Sequence, residues 1–298
     1  MSATDDFLSG DAGDVTHPWR RAQRAIGEAA FAAIDGAALV GRRADAVARA
    51  APRRRVLVAG VYRPWSLLPA ALGAPAAPAA PAAPAAPGPL ASRHHDVRFA
   101  LGATQAADPA LAEQTVASGL DGGKFENLNR VLAAAPAFEF DWLLVVDDDL
   151  RLPPRFLDRF VGLCERFGLD LAQPAQSQRS HSAWRVTRRR PASLVRETRF
   201  VEIGPLTGFG RRAASELLPF PELRFGWGLD LHWAALAAER DWRLGVVDAT
   251  PVRHETATVG SSYAIADARA EAARFLADRS YLPAARAGDV LATHRRAG

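Results

Sequence analysis

Three consecutive aspartates directly follow an apolar run in the segment WLLVVDDD (142–149). The apolar run predicts a buried strand, and ligands of open α/β sheets bind at the carboxyl ends of strands. Alternate residues of an extended chain share a face, so Asp147 and Asp149 can converge while Asp148 points elsewhere. Two close carboxylates are unfavourable without a cation between them, which predicts a Mg²⁺ or Mn²⁺ site. The alternative is an acidic loop that caps the following helix.

Two further segments place chemically useful side chains near predicted element ends. His254 follows the apolar strand LGVVDATPV and could reach the same cation as Asp149, although a structural role is equally consistent with its position. In FGWGLDLHW (225–233), glycines allow a tight turn, Trp227 offers a flat face to a sugar ring, and Asp230 begins a predicted helix. Asp230 could act as a general base or simply as an N-cap.

Lys124 is the only lysine in a chain that otherwise uses arginine. A compact ammonium differs from a guanidinium in phosphate binding and in how readily it shifts its pKa, so a single retained lysine is a candidate ligand contact. It lies in GGKFENLN (122–129), together with Asn127, just before the predicted aspartate strand. The alternative is a glycine turn followed by an ordinary helix start. Arg188–Arg190 could bind a diphosphate or form a solvated run.

Strands alternate with helices from residue 55 to about 254, which predicts an α/β domain with a mostly parallel sheet. We expect a disordered tail at 1–16, a helical extension at 17–50, the main domain at 52–263 and a C-terminal helix and tail at 264–298. The repeat AAPAAPAAPAAPGP predicts an extended insertion loop at 72–90.

Composition limits the classes of protein that the chain can belong to. Of 298 residues, 49% are hydrophobic, enough for a substantial core. One cysteine, Cys164, excludes an internal disulfide and favours a reducing, cytoplasmic compartment. The net charge of +4 comes from scattered arginines, so we expect no nucleic-acid partner. We also expect no transmembrane segment. The Ala-rich helices could pack on the domain, contact a membrane surface peripherally or pair between chains.

The motifs together resemble the glycosyltransferases of GT-A fold, in which an Asp-x-Asp motif after a strand holds a divalent metal on a nucleotide sugar. A closer resemblance is to a plant and bacterial domain family of unknown function. Its characteristic segments appear here as Asp147–Leu150, GLDLAQP (168–174), FVEIGPLTGF, GWGLD and GVVDATPVRH, and the resemblance covers roughly residues 120–263.

The resemblance implies a fold, an activity and a set of site residues. The fold is a GT-A-like, Rossmann-like sheet, and the activity is metal-dependent transfer of a sugar from a UDP- or GDP-sugar to a carbohydrate or other hydroxyl acceptor, with inversion. Asp230 is the implied base, with Mn²⁺ or Mg²⁺ bound by Asp147, Asp149 and His254. The implied substrate and nucleotide contacts are Tyr62, Arg63, Lys124, Asn127, Asp147, Asp148, Trp227 and Gly228, and Trp184 and Glu202 are candidates on the acceptor side.

Other functions remain open from the residues alone. Aspartate clusters at strand ends also serve nucleotidyltransferases and metal-dependent phosphohydrolases. However, no Gly-rich pyrophosphorylase-like loop follows the first strand, and the chain lacks an Asp-x-Asp-x-Thr nucleophile motif. A non-catalytic carbohydrate-binding or scaffold protein of the same fold is a further alternative.

Overall fold

The computed structural model describes residues 18–73, 87–135, 137–255 and 264–297, and within them one ten-stranded sheet forms the centre of the molecule. The strands are β1 (Arg55–Tyr62), β2 (Asp96–Ala103), β3 (Thr115–Ala117), β4 (Trp142–Val146), β5 (Leu150–Arg151), β6 (Leu171–Gln176), β7 (Val195–Thr198), β8 (Leu206–Gly210), β9 (Leu244–His254) and β10 (Val290–His294).

The strand order is β10-β7-β9-β6-β8-β4-β1-β2-β3, with the short β5 paired to β9. Strands β1, β2, β3, β4, β6, β9 and β10 share one direction, whereas β5, β7 and β8 run against it. The expectation of a mostly parallel, mixed α/β sheet of Rossmann-like type is therefore confirmed.

Helices cover both faces of the sheet. They are α1 (Pro18–Ala37), α2 (Val40–Ala50), α3 (Leu68–Leu72), α4 (Lys124–Ala134), α5 (Phe156–Arg166), α6 (Arg211–Leu217), α7 (Leu229–Glu239) and α8 (Ile265–Leu276). In β1, Leu57 and Ala59 belong to the apolar layer with α4 and α7, whereas Val56 and Val58 belong to the layer with α2 and α5. This alternation is the two-residue period of a strand buried on both faces.

The parallel strands bring their carboxyl ends to one edge of the sheet. Asp147 follows β4 there, and its backbone N–H donates to the carbonyl of Pro205, just before the antiparallel β8, at 2.9 Å. Because β8 runs against β4, its amino end lies at this same edge. The segment 202–205 therefore faces the aspartate run, and we call this region the aspartate edge.

A buried ion pair joins β7 to β9 below this edge. The Nε and Nη2 atoms of Arg196 each donate to Asp248 at 2.9 Å, and both side chains are completely inaccessible to solvent. Arg196 also donates to the carbonyls of Val186 and Arg188, at 2.6 and 2.7 Å. The pair therefore fixes the loop between β6 and β7 onto the sheet.

Some predictions from the sequence differ from the structure, and others concern residues outside the described ranges. The tail expected at 1–16 lies outside them, as do residues 74–86 of the expected insertion. The C-terminal region contains β10, an edge strand that the sequence did not reveal, because Val290–His294 is only five residues long and does not alternate apolar with polar residues. Within the described ranges, no helix is long and apolar enough to cross a membrane.

Candidate active site

Asp148 is buried and holds the loop that follows β1. Its Oδ2 accepts hydrogen bonds from the backbone N–H and Nε of Arg63, at 2.8 and 2.9 Å, and its Oδ1 accepts from Nη2 at 2.5 Å. Its backbone carbonyl accepts from the N–H of Leu67 at 2.7 Å. The charge of Asp148 is thus neutralised by a two-pronged guanidinium contact that joins the ends of β1 and β4.

Asp147 carries the most accessible carboxylate of the three, and Lys124 is its partner. The Nζ atom of Lys124 lies 2.6 Å from Oδ1 of Asp147, and it donates to the carbonyl of Ile203 at 3.2 Å. Gly204 makes this approach possible, since a Cβ there would lie 2.9 Å from Nζ. The single lysine of the chain therefore lies at the aspartate edge, as a ligand contact would require.

Asp149 is nearly inaccessible and pairs with the last residue of β9. The Nε2 atom of His254 lies 2.9 Å from its Oδ1, and β5 pairs Leu150 with His254 across the same contact. Burial opposes protonation of His254, but the hydrogen bond and charge of Asp149 outweigh it, so the pKa of His254 is raised. Each of the three aspartates thus has its own cationic or protonatable partner.

The structure does not assemble the expected three-residue metal site. Across the described ranges, no cluster of three or more Asp, Glu, His or Cys side chains has a metal-binding arrangement. Asp149 and His254 are adjacent, but Asp147 is turned to Lys124. A carboxylate oxygen and a neutral imidazole nitrogen are suitable ligands for Mn²⁺ or Mg²⁺, so a cation at Asp149 and His254 would replace the proton that the two side chains share.

Asp230 is the second residue of α7 and is buried at the aspartate edge. Burial raises its pKa to about 7, against hydrogen bonds from the backbone N–H groups of Leu231, Asp230 itself and Ile203. The carbonyl of Ile203 accepts from Lys124, so one residue connects the candidate base to the aspartate run. A carboxylate with a pKa near neutrality suits proton abstraction. An N-cap role is not what the structure shows, because Gly228 occupies that position.

Glu202 is a second buried carboxyl group beside Asp230. Its Oε2 accepts from Nε2 of Gln176 at 2.9 Å, and its Oε1 accepts from the backbone N–H of Ala183 at 3.3 Å. Burial, followed by the charge of Asp230, raises the pKa of Glu202 to about 8. Glu202 therefore holds the β6–β7 loop against the site in its protonated form at neutral pH.

The glycines of GWGLD have packing roles. Gly226 has φ 77° and lies so close to the Phe125 ring that a Cβ would fall 2.0 Å from it, and Gly228 has φ 84° beside Leu276. Both glycines thus adopt the tight turn that the sequence predicts, and both also pack closely against apolar side chains. Trp227 is half-buried and packs partly against the core, so its ring is only in part a surface for a sugar.

The side chains of two predicted contacts, Tyr62 and Asn127, are bonded to neighbouring loops. The hydroxyl of Tyr62 bonds to Oγ1 of Thr115 at 2.8 Å and accepts from the N–H of Asp108 at 3.0 Å. Tyr62 is 2% exposed. The Asn127 side chain bonds to both backbone groups of Gly122 and so shapes the turn before Lys124. Tyr62 and Asn127 therefore stabilise loops next to the site.

The sequence did not predict the roles of two residues at or near the edge, Trp65 and Glu271. Trp65 is 56% exposed, and the Arg63 guanidinium carbon lies 3.8 Å from its ring centroid, next to the residue that holds Asp148. Glu271 of α8 accepts from the N–H groups of Arg224, Phe225 and Gly226, at 2.8 to 2.9 Å, and so fixes the turn before α7. For Trp65, the tryptophan in the segment VYRPWS was the sequence signal that could have indicated this role.

We expect the raised pKa of Glu202 to make the protein less stable as pH rises. The folded state holds this proton between the ordinary value of 4.5 and about 8, whereas the unfolded state has lost it. The free energy of unfolding therefore falls across this window.

Glu202→Gln should remove that contribution, so the stability difference between variant and wild type should change with pH in urea titrations. Asp230 titrates in both proteins, so the difference between them reports the Glu202 proton and its coupling to Asp230. Parallel stability curves from pH 5 to 8 would contradict the assignment.

Comparison with known proteins adds little beyond this geometry. No protein-family model matches the chain, and no curated protein matches it. Among solved structures, it is similar to one described as "Crystal Structure of a Mycobacterial Protein", with 15% sequence identity over 78% of both chains and a TM-score of 0.47. The Rossmann-like α/β architecture is shown by the sheet of the chain itself, and the function is inferred from the site.

Proposed function

We propose that this protein is a glycosyltransferase that moves a sugar from a nucleotide-diphosphate sugar to a hydroxyl acceptor. The observation that carries the proposal is Asp230, a buried carboxyl group with a pKa of about 7 at the aspartate edge. The resemblance of the Asp147–Leu150 and GWGLD segments to GT-A glycosyltransferases supports it. The proposal includes a reducing, cytoplasmic compartment, since the single cysteine, Cys164, is buried.

In this reaction Asp230 would act as the base. The acceptor hydroxyl attacks the anomeric carbon, its proton passes to the Asp230 carboxylate, and the bond from that carbon to the diphosphate oxygen breaks. Such direct displacement inverts the configuration at the anomeric carbon. Burial keeps water away from the carboxylate and matches its pKa to neutral pH. Glu202, protonated beside it, would position the β6–β7 loop as one wall of the acceptor site.

Cationic side chains at the aspartate edge would bind the departing diphosphate. Lys124 is 27% exposed and already reaches the edge through Asp147, so a phosphate oxygen could share its ammonium protons. The Arg63 side chain is 38% exposed beyond its contact with Asp148, and the Trp65 ring lies against its guanidinium. The outer face of that exposed ring suits the stacking of a nucleobase.

A divalent cation fits this proposal at Asp149 and His254. Their Oδ1 and Nε2 atoms would hold Mn²⁺ or Mg²⁺, and donor phosphate oxygens and water suit the remaining positions. When bound, the ion would stabilise the negative charge of the leaving diphosphate as a Lewis acid. Asp147 would then pair with Lys124 and contact the nucleotide instead of acting as a third metal ligand.

A donor screen tests the proposed function. Purified protein with Mn²⁺ or Mg²⁺ is mixed with UDP-, GDP-, ADP- and dTDP-sugars, and the freed nucleoside diphosphate is counted with and without simple hydroxyl acceptors. We expect release from one donor, weakened by EDTA and lost in Asp149→Asn. Lys124→Met should slow it about 10²- to 10³-fold, as loss of one electrostatic contact to a transition state typically does. Asp241→Asn, an exposed carboxylate on the β9 side, is the matched control and should leave the rate unchanged.

The same screen separates the competing functions. Release of sugar 1-phosphate in place of nucleoside diphosphate would identify nucleotidyl transfer or hydrolysis of the diphosphate. Donor binding without turnover in any acceptor mixture would favour a non-catalytic carbohydrate-binding protein. If no nucleotide sugar binds, with or without metal, the glycosyltransferase proposal fails.

A further inference from the structure

The candidate site has two halves, which lie on different elements of the fold. The cation-binding pair is Asp149, just after β4, and His254, the last residue of β9. The acceptor-side pair is Asp230, in the first turn of α7, and Glu202, in the segment before β8. The reacting atoms of two substrates must approach to about 3–3.5 Å for transfer. Contacts that join one pair to the other would therefore affect the reaction.

A chain of hydrogen bonds through two buried side chains joins these pairs. The backbone N–H of His254 donates to Oγ of Ser180 at 3.0 Å. The Ser180 hydroxyl donates to Oε1 of Gln176 at 2.8 Å, and the carbonyl of His181 is a second acceptor for it at 2.9 Å. The Nε2 atom of Gln176 donates to Oε2 of Glu202 at 2.9 Å. We call Gln176 and Ser180 the polar link.

The polar link is also fixed through its backbone. The carbonyl of Gln176 accepts from the N–H of Arg189 at 2.9 Å, and the N–H of Ser177 donates to the carbonyl of Val252 at 2.8 Å. The N–H of Ser180 donates to the carbonyl of Ser177 at 3.0 Å, which closes a turn. The turn is thus attached to β9 near the carboxyl end of that strand, so a shift of the turn would also move the strand end.

An amide and a hydroxyl are suitable groups for such a link. Gln176 and Ser180 are each 1% exposed, so water does not compete for their hydrogen bonds. An amide has both donors and an acceptor, so Gln176 can bond to the Glu202 carboxyl group whether or not that group holds a proton. A buried network of satisfied hydrogen bonds rigidifies its surroundings and favours a single arrangement. The link can therefore keep the two halves of the site aligned.

We propose that Gln176 and Ser180 are positioning residues, which hold the cation-binding pair and the acceptor-side pair at the separation that sugar transfer requires. This inference rests on the proposed function, because it assumes a donor diphosphate at the first pair and an acceptor hydroxyl at the second. Ser180 acts through His254, and Gln176 acts through Glu202. Loss of the link leaves both pairs present but misaligned, and a misplacement of about 1 Å can lower a rate about 10²-fold.

Ser182 provides the matched control for this role. It belongs to the same β6–β7 loop as Ser180, it is 3% exposed, and its Oγ accepts from Nε of Arg188 at 2.9 Å. This contact joins the loop to itself, whereas the contacts of Ser180 lead to His254 and Gln176. Ser180→Ala and Ser182→Ala thus remove the same group, at similar burial, with different expected effects on the site.

Metal binding and kinetics of the full chain test the proposal, with the wild type, Ser180→Ala, Gln176→Met and Ser182→Ala compared. Titration with Mn²⁺ alone, followed by electron paramagnetic resonance of the free ion, measures cation binding without substrate. We expect Ser180→Ala to weaken Mn²⁺ binding about tenfold, as the loss of a contact that orients a ligand does. Gln176→Met should bind Mn²⁺ as the wild type does.

The kinetic expectations concern the donor identified in the screen. At saturating Mn²⁺, Ser180→Ala and Gln176→Met should each lower kcat about 10- to 100-fold and leave the KM for the donor unchanged. Ser182→Ala should match the wild type in Mn²⁺ affinity and in kcat. A merely structural role would instead lower the free energy of unfolding in urea without changing Mn²⁺ affinity or kcat per folded molecule.

The outcomes distinguish a failure of this inference from a failure of the proposed function. Absence of turnover in the wild type would contradict the proposed function. Wild-type turnover that both link variants retain would overturn the positioning role alone. An equal loss of kcat in Ser182→Ala and Ser180→Ala would also overturn it, because loosening of the loop would then suffice. Circular dichroism gives the folded fraction, and if one link variant does not fold, the other still decides.

Discussion

Asp230→Asn should abolish most of the turnover while leaving the protein folded. Asparagine keeps the shape and the hydrogen-bond acceptor that bonds to Leu231 N–H, but it cannot take a proton from the acceptor hydroxyl. Loss of a general base lowers rates about 10²- to 10⁴-fold, so we expect kcat to fall by that factor with donor affinity preserved. Steady-state kinetics with the donor identified in the screen gives the value, and Asp241→Asn provides the control.

The pH dependence of the same reaction offers an independent check on Asp230. The base must be deprotonated to act, and burial raises its pKa to about 7. In the wild type, kcat/KM should therefore rise about tenfold per pH unit below 7 and level off above it. An ordinary exposed aspartate would give a flat profile over this range. A variant that retains half of the wild-type rate, or a wild-type profile that is flat from pH 5 to 8, would show that the base lies elsewhere.

Arg196→Met should produce the largest loss of stability among single substitutions in the β7–β9 region. The change leaves the Asp248 carboxylate buried without its two 2.9 Å contacts from Arg196, and it frees the carbonyls of Val186 and Arg188. Breaking a buried ion pair on one side costs about 3–5 kcal/mol. Urea unfolding at neutral pH, followed by circular dichroism, measures the loss.

Two companion variants show whether the cost comes from the unpaired charge. The double substitution Arg196→Met and Asp248→Leu removes both charges, so it should recover part of the stability, although the two carbonyls stay unpaired. Arg240→Met breaks the half-exposed pair with Glu216 and should change the free energy of unfolding by less than about 1 kcal/mol. If Arg196→Met cost no more than Arg240→Met, the Arg196–Asp248 pair would have no special structural role.

The main features of the fold and the position of the aspartate run follow from local pattern. WLLVV is long and apolar enough to be a buried strand, and Asp147 must then follow its carboxyl end. Asp230 was placed at the start of a helix for a similar reason, because glycines precede it and an apolar helical pattern follows it. The strand β10 was missed because an edge strand needs little apolar sequence once a neighbour supplies its hydrogen bonds.

The partners of the site residues were decided by the tertiary structure. Arg63 and Asp148 lie 85 residues apart, and Lys124 reaches the carbonyl of Ile203 across 79 residues. No periodicity connects such positions, because the order of strands in the sheet determines which ends meet. The predicted grouping of Asp147, Asp149 and His254 relied on their shared edge, and no local pattern indicated that Lys124 would pair with Asp147.

Burial and orientation also depended on the complete fold. The sequence offered Glu202 only as a candidate on the acceptor side. In the fold its segment is irregular and its carboxyl group is buried next to Asp230, and burial, followed by the charge of Asp230, raises the pKa of Glu202 to about 8. Helix α1 shows the same limit. Its sequence defines a charged side and an apolar side, but the ion pairs of Arg189 with Glu28 and Asp35 turn the charged side inward. The sequence determines which residues share a helix face, and only the neighbouring elements determine which face is buried.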